Sequence, residues 1–159
     1  MPLVSSSLQE SDGTVLHAWI IEVSPARVWW GLTSSEALPF WLGTLTSGTF
    51  AEGETVIIQH AEDYDCSSQV VVCKPNELLE MTWKFPNEEL SHLRLHLWPE
   101  SGATHLSLAH SGLGDEAPNY LTGWHVHLLY FEDLLLGKPG LMAEFWETYE
   151  RLAKQAPLT

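Results

Sequence analysis

The stretch NYLTGWHVHLLYFEDLLL, residues 119–136, decides the fold. Tyr120, Trp124, Leu128, Phe131 and Leu135 recur at helical spacing, and Leu121, Val126 and Leu134 widen the stripe, as on the buried face of an amphipathic helix. Such a helix runs about 18 residues, or about 27 Å at a rise of 1.5 Å each. Gly137 and Pro139-Gly140 end it, since neither residue type continues a helix. It is the longest helical pattern in the chain.

Upstream the period changes from helical to two. Leu79, Met81, Trp83 and Phe85 alternate with Glu80, Thr82 and Lys84; Leu93, Leu95 and Leu97 alternate with His92, Arg94 and His96; Leu106, Leu108 and His110 share a third face. Alternation of this kind marks strands with one face toward a core. The spacing predicts strands over 55–60, 67–73, 78–85, 92–98 and 104–110, separated by turn residues such as Ala51-Glu52-Gly53, Pro75-Asn76 and Pro86-Asn87. If the hairpin places Trp98 opposite His105, His96 faces Ser107 on a polar outer surface. An earlier strand spans Thr14–Val23, and Ser24-Pro25 then caps a short helix carrying Val28, Trp29 and Leu32. Ser34 or Ser35 starts a second short helix with Leu38 and Trp41, closed by Gly43. A one-faced sheet of about six antiparallel strands needs a cover, and only the 119–136 helix is long enough. The expected class is therefore α+β, with a curved antiparallel sheet wrapped around a long C-terminal helix.

The chain has 159 residues, a length that suits a single domain with a real core. We expect residues 1–13 to be a flexible N-terminus, 14–137 the domain, and 138–159 a C-terminal helical extension and tail, with Leu141, Met142, Phe145, Tyr149 and Leu152 on the apolar side of that helix. Lys and Arg number 7 against 21 Asp and Glu, a formal charge of −14. With no basic stripe, nucleic acid is excluded as an expected partner, and anionic membrane surfaces are disfavoured. No signal peptide or membrane span is expected, so the expected location is cytoplasmic. Cys66 and Cys73 stand seven residues apart on one strand, over about 20 Å, too far for a mutual disulfide.

The pieces Pro25-Ala26-Arg27-Val28-Trp29, Leu32-Thr33 and Trp41-Leu42-Gly43 come first, then LEMTW at 79–83 and GATHLSLAHSGL at 102–113. Gly123-Trp124, Leu128–Leu135 and Gly137 follow in order. Together they resemble the family named for the activator of heat-shock-protein-90 ATPase homologue (AHSA-type), within the START-like or SRPBCC superfamily. The resemblance covers roughly 14–137. It departs from the family at His105, where a basic residue is usual, and residues 141–155 extend past the usual end. It implies a helix-grip fold. Members of the superfamily bind lipids, polyketides, hormones or other apolar molecules under the long helix, and some are cyclases. The chaperone-activating role of the eukaryotic namesake needs a separate N-terminal domain, for which a chain of this length is expected to have no room.

On the residues themselves, the candidate ligand-cavity set is Trp19, Ile21, Met81, Trp83, Leu108, His110, Tyr120, Trp124, His127, Leu128 and Phe131. Trp29, Trp30 and Trp41 are placed at the mouth. So many rings could equally fill a solid core, each burying about 150–250 Å²; the resemblance favours a pocket. His110 is the one catalytic candidate, an acid or base on an apolar face; the alternative is a buried histidine bonded to backbone near a strand end. His125 and His127 diverge by about 200° on the helix and cannot chelate one metal. His92 and His96 are about 13 Å apart on one strand. No metal site and no cofactor are expected. Ser111-Gly112 lacks a nucleophile elbow, neither cysteine has a local base, and the carboxylates of Glu144, Glu147 and Glu150 read as a solvated helix face. The leading expectation is a protein that binds a small hydrophobic or aromatic molecule, oriented by His110, Tyr120 or Thr82. A cyclase or hydrolase using His110 and a protein-interaction module are the alternatives. The 141–152 helix, or the surface around Trp30, could serve a partner protein or a homodimer.

Overall fold

The computed structural model describes residues 3–8 and 13–154. Eight strands form one antiparallel sheet: β1 (Leu3–Leu8), β2 (Val15–Ile21), β3 (Thr44–Ser47), β4 (Thr55–Ala61), β5 (Tyr64–Lys74), β6 (Leu78–Trp83), β7 (Ser91–Glu100) and β8 (Ala103–Ser111). Their spatial order is β1-β2-β8-β7-β6-β5-β4-β3. The helices are α1 (Pro25–Thr33), α2 (Ala117–Leu135) and α3 (Phe145–Ala153). After β2 the chain passes through α1 to β3 at the far edge, and β3 to β8 then follow one another back across the sheet until β8 pairs with β2, from Val15 opposite His110 to Ile21 opposite Thr104. This is the helix-grip architecture: a curved antiparallel sheet holding one long helix.

The period-two stretches lie where the alternation puts them. Leu79, Met81 and Trp83 of β6, Leu93, Leu95 and Leu97 of β7, and Leu106, Leu108 and His110 of β8 are all buried on the α2 side. Trp98 pairs with His105 and His96 with Ser107, and the Trp98 and His105 rings stack at 4.1 Å on the outer face. Leu3–Leu8, read from sequence as part of a flexible N-terminus, pairs with β2 instead. The short edge strand β3 has only Leu45 partly buried against the core, a pattern too weak to read in sequence.

Ser24 caps α1 by accepting the Arg27 N–H at 3.2 Å, with Pro25 at its first position. A 3-10 turn, Leu38–Phe40, replaces the second short helix. Helix α2 ends at a 6→1 bond from the Lys138 N–H to the Asp133 carbonyl (2.8 Å) across Gly137, whose φ is +83°.

One close approach decides where the interior is solid. A Cβ on Gly31 of α1 would lie 2.5 Å from Phe131 and 3.0 Å from Leu135 of α2, so glycine alone lets the two helices touch here. Trp41 packs on Phe131 at 4.5 Å and donates its indole N–H to the Gly31 carbonyl at 2.8 Å. The C-terminal half of α2 is thereby held close against α1.

Candidate functional site

A cavity of about 560 Å³ lies between the sheet and the first half of α2. Trp83, Phe85 and His60 supply the sheet side, Tyr120, Gly123, Trp124 and His127 the helix side. Met142, Phe145, Trp146 and Tyr149 close it from α3 and the turn before it. Those four fall at i, i+3, i+4 and i+7, so the C-terminal extension presents a stripe to the cavity. Phe145 rests against the His127 ring at 4.5 Å and against Tyr130 at 5.9 Å.

Of the residues singled out from sequence, Trp83, Tyr120, Trp124 and His127 line the cavity. Trp19, Ile21, Met81, Leu108, His110, Leu128 and Phe131 are buried on the same inner face but do not line it; Phe131 is covered by Gly31 of α1 and by Trp41, and His110 sits behind the rings of Trp83, Tyr120 and Trp124. Trp41 is buried, Trp29 and Trp30 half-buried against the core, and none of the three borders the cavity. The outward-facing Thr82 hydroxyl accepts the Gln69 N–H at 2.8 Å. The residues that sequence reasoning missed are chiefly His60, Phe85, Glu88 and Trp146. His60 had a readable signal, since it shares the inward face of β4 with Val56 and Ile58. The register shift between Gln59 and Ala61 sits at this residue, and such a bulge re-aims a side chain.

Two polar chains fix the walls. The Trp124 indole N–H donates to His110 Nδ1 at 2.9 Å, which leaves His110 Nε2 as the donor to Ser91 Oγ at 2.8 Å; Ser91 donates to the Trp83 carbonyl at 3.3 Å. This chain joins α2 to β8, β7 and β6 in turn. In the second chain the Trp83 indole donates to Tyr120 Oη at 3.0 Å, and Tyr120 donates to Glu88 Oε1 at 2.5 Å. Burial, then the Glu88 bond, drives the Tyr120 hydroxyl well above its ordinary pKa. His110 is fully buried with both nitrogens engaged by side chains rather than by backbone, and burial pushes its pKa down to about 3. It has no lone pair free for a substrate, so the geometry does not present it as a general base.

His127 donates Nδ1–H to the Trp41 carbonyl at 2.7 Å, so its Nε2 is an acceptor. Burial lowers its pKa to about 4, the Trp41 bond opposing. The His60 ring stands edge-on to Phe85 (4.9 Å), Trp83 (5.7 Å) and His127 (6.2 Å). Its Nε2 is buried without a hydrogen-bond partner, and burial, with His127 adding to it, pushes its pKa down to about 3. Both imidazoles are neutral at pH 7. Cys66 is a buried free thiol raised to about 12 by burial, which leaves no nucleophilic thiolate. Among the described residues no three His, Cys, Asp or Glu side chains are grouped to hold a metal ion, and no described helix is long and apolar enough to cross a membrane.

A family model described as activator of Hsp90 ATPase homolog 1-like protein matches residues 22–135. Among solved structures, CalU16 from Micromonospora echinospora is 19% identical, with 95% of this chain and 96% of that chain covered at a TM-score of 0.72. DynU16, from the dynemicin biosynthetic locus, is 20% identical, with 80% of this chain and 49% of that chain covered at 0.73. The Aha1 dimer from Colwellia psychrerythraea is 21% identical, with 80% and 98% covered at 0.66. At these identities the likeness speaks to the fold. No curated protein matches the sequence.

Proposed function

Because this chain belongs to the activator of Hsp90 ATPase homolog 1-like family, whose START-like fold leaves room between sheet and helix, we propose that it binds a small apolar or aromatic molecule in the cavity under α2. The observation that carries this reading is the cavity itself: about 560 Å³, within the roughly 300–1,000 Å³ of ordinary ligand sites, with aromatic side chains on every wall. Aromatic rings give large contact area at low entropic cost, and burial contributes about 25 cal/mol per Å² of apolar surface. The place of the DynU16 neighbour in a biosynthetic locus is consistent with a small-molecule role. A homodimer, as solved for the Colwellia neighbour, is a separate proposal that sedimentation equilibrium decides.

A melting screen against a library of uncharged aromatic compounds tests the reading. A ligand at a hundredfold excess over its Kd stabilises the folded state by about 2.7 kcal/mol, or about 5–10 °C for a chain of this size. That rise is expected for a subset of the library and is expected to disappear in Trp124→Ala. An unchanged melting curve across the whole library contradicts the proposal.

A further inference from the structure

The polar atoms around the cavity are unequal in kind. Of the Trp and Tyr donors in its walls, those of Trp83, Trp124, Tyr120, Tyr64 and Tyr149 are already engaged within the protein, on Tyr120, His110, Glu88, Asn87 and Asn119 respectively; only the exposed rim residue Trp146 is left over. What remains facing the space is chiefly acceptors, beside two neutral donors, the N–H of the unpartnered His60 ring and the second amide N–H of Asn119. His127 Nε2 has its lone pair free, because Nδ1 carries the proton. Glu88 and Glu116 each line the cavity, and each has one carboxylate oxygen bonded, to Tyr120 and to Asn119, with the other unpartnered among the described residues.

Charge points the same way. Among the described residues no Lys or Arg lines the cavity. Lys84, at the end of β6, turns its ammonium to the carbonyls of Phe85 and Glu88. An adjoining hollow of about 250 Å³ shares Glu88 and Glu116 and adds Glu89 and Asp115, again without a basic residue. A carboxylate or phosphate ligand would meet like charge at the mouth and find no cationic donor inside, only the neutral N–H groups of His60 and Asn119. An ammonium group would meet carboxylates, a neutral imidazole lone pair and the negative faces of aromatic rings, which attract cations directly.

We propose that the cavity selects an organic amine, a protonated primary or secondary ammonium carried on an apolar or aryl skeleton, over the corresponding acid. This rests on the ligand-binding reading above and narrows it. Titration calorimetry of the full chain at pH 7 with naphthylmethylamine, naphthylmethanol and naphthoic acid separates the two, since the three share one ring system. The amine is expected to bind about tenfold more tightly than the alcohol, and the acid more weakly than either. In the Glu88→Gln/Glu116→Gln double variant, which keeps an acceptor for Tyr120, the amine-to-alcohol ratio is expected to fall toward one. Equal binding of all three, tighter binding of the acid, or an unchanged ratio in the double variant overturns the amine proposal and leaves ligand binding standing. No heat with any of the three overturns both.

Discussion

His110→Leu is expected to destabilise the protein by about 2–4 kcal/mol, because it strands the buried Trp124 indole N–H, at about 1–3 kcal/mol, and removes one of the two bonds of Ser91, which keeps the Trp83 carbonyl, at about 0.5–1.5 kcal/mol. The substitution keeps an apolar side chain of similar bulk on β8, so little of the loss is a packing void. What goes is the acceptor for the Trp124 indole and the donor to Ser91. These bonds fasten α2 to three neighbouring strands, so the helix that roofs the cavity loses its central attachment. His110→Asn restores an acceptor near the position of Nδ1 but does not reach Ser91, and an intermediate loss is expected. Chemical denaturation of the three proteins checks the order. A leucine variant within about 0.5 kcal/mol of the parent, the range of ordinary surface changes, would show that the chain of bonds contributes nothing.

Acid is expected to unfold the protein well above the pH at which its carboxylates protonate. Burial holds His60 and His110 at about 3, and His17 and His127 at about 4, against 6.5 for an exposed histidine. Between pH 6.5 and about 4 the unfolded chain therefore binds protons that the native chain refuses, so stability falls as pH falls through this window and is level above it. Each such proton costs about 1.4 kcal/mol per pH unit. Glu132 and Asp133, whose carboxyls are raised by burial, take up protons in the native state at low pH and offset part of the loss. The net slope near pH 5 is on the order of 3–5 kcal/mol per unit, large beside a total stability of about 5–15 kcal/mol. A melting temperature level from pH 8 to 7 and collapsing between pH 6 and 4.5 is the expected profile. A temperature unchanged from pH 7 to 5 contradicts the burial of these imidazoles. His110→Leu should make the fall shallower by one proton.

Much of the fold is legible in the sequence because it rests on local periodicity. The alternation at 79–85, 93–97 and 106–110 names the inward face of three adjacent strands, and the stripe at 120–135 names the helix that covers them. The pairing of Trp98 with His105, which the sequence poses only as a condition, is observed. Depth along that face is a different matter. Trp19, Leu108 and Phe131 face inward as surely as Trp83 and Trp124, yet none of the three lines the cavity; at Phe131 the reason is Gly31, which lets α1 close on it and on Leu135. Alternation carries no information on which end of a helix another helix will seal. The closing wall from α3 was visible only as an amphipathic stretch, because its partner surface, His127 and Tyr130, is defined only once α2 is folded. His60 was legible in principle, on the face of Val56 and Ile58, but the bulge that aims it is set by strand pairing.

The negative charge also acquires a location. Glu88, Glu89, Asp115 and Glu116 gather at the cavity mouth and the hollow beside it, so part of the −14 formal charge sits where a ligand would enter. On the amine proposal, this charge is what sorts ligands by sign.

Gly123 provides the most direct test of the cavity. It lines the space from the middle of α2, and a Cβ built there meets nothing within 4 Å. A side chain can therefore start at this position without a clash, Gly123→Leu directs one into the cavity, and replacing glycine inside a helix favours folding by up to about 1 kcal/mol. Calorimetric titration of naphthylmethanol into the parent protein and into this variant is the deciding measurement. The expected result is saturable one-site binding to the parent and none to a variant that melts at the same temperature or higher. Equal binding to both proteins would place the ligand elsewhere and contradict a ligand site under α2.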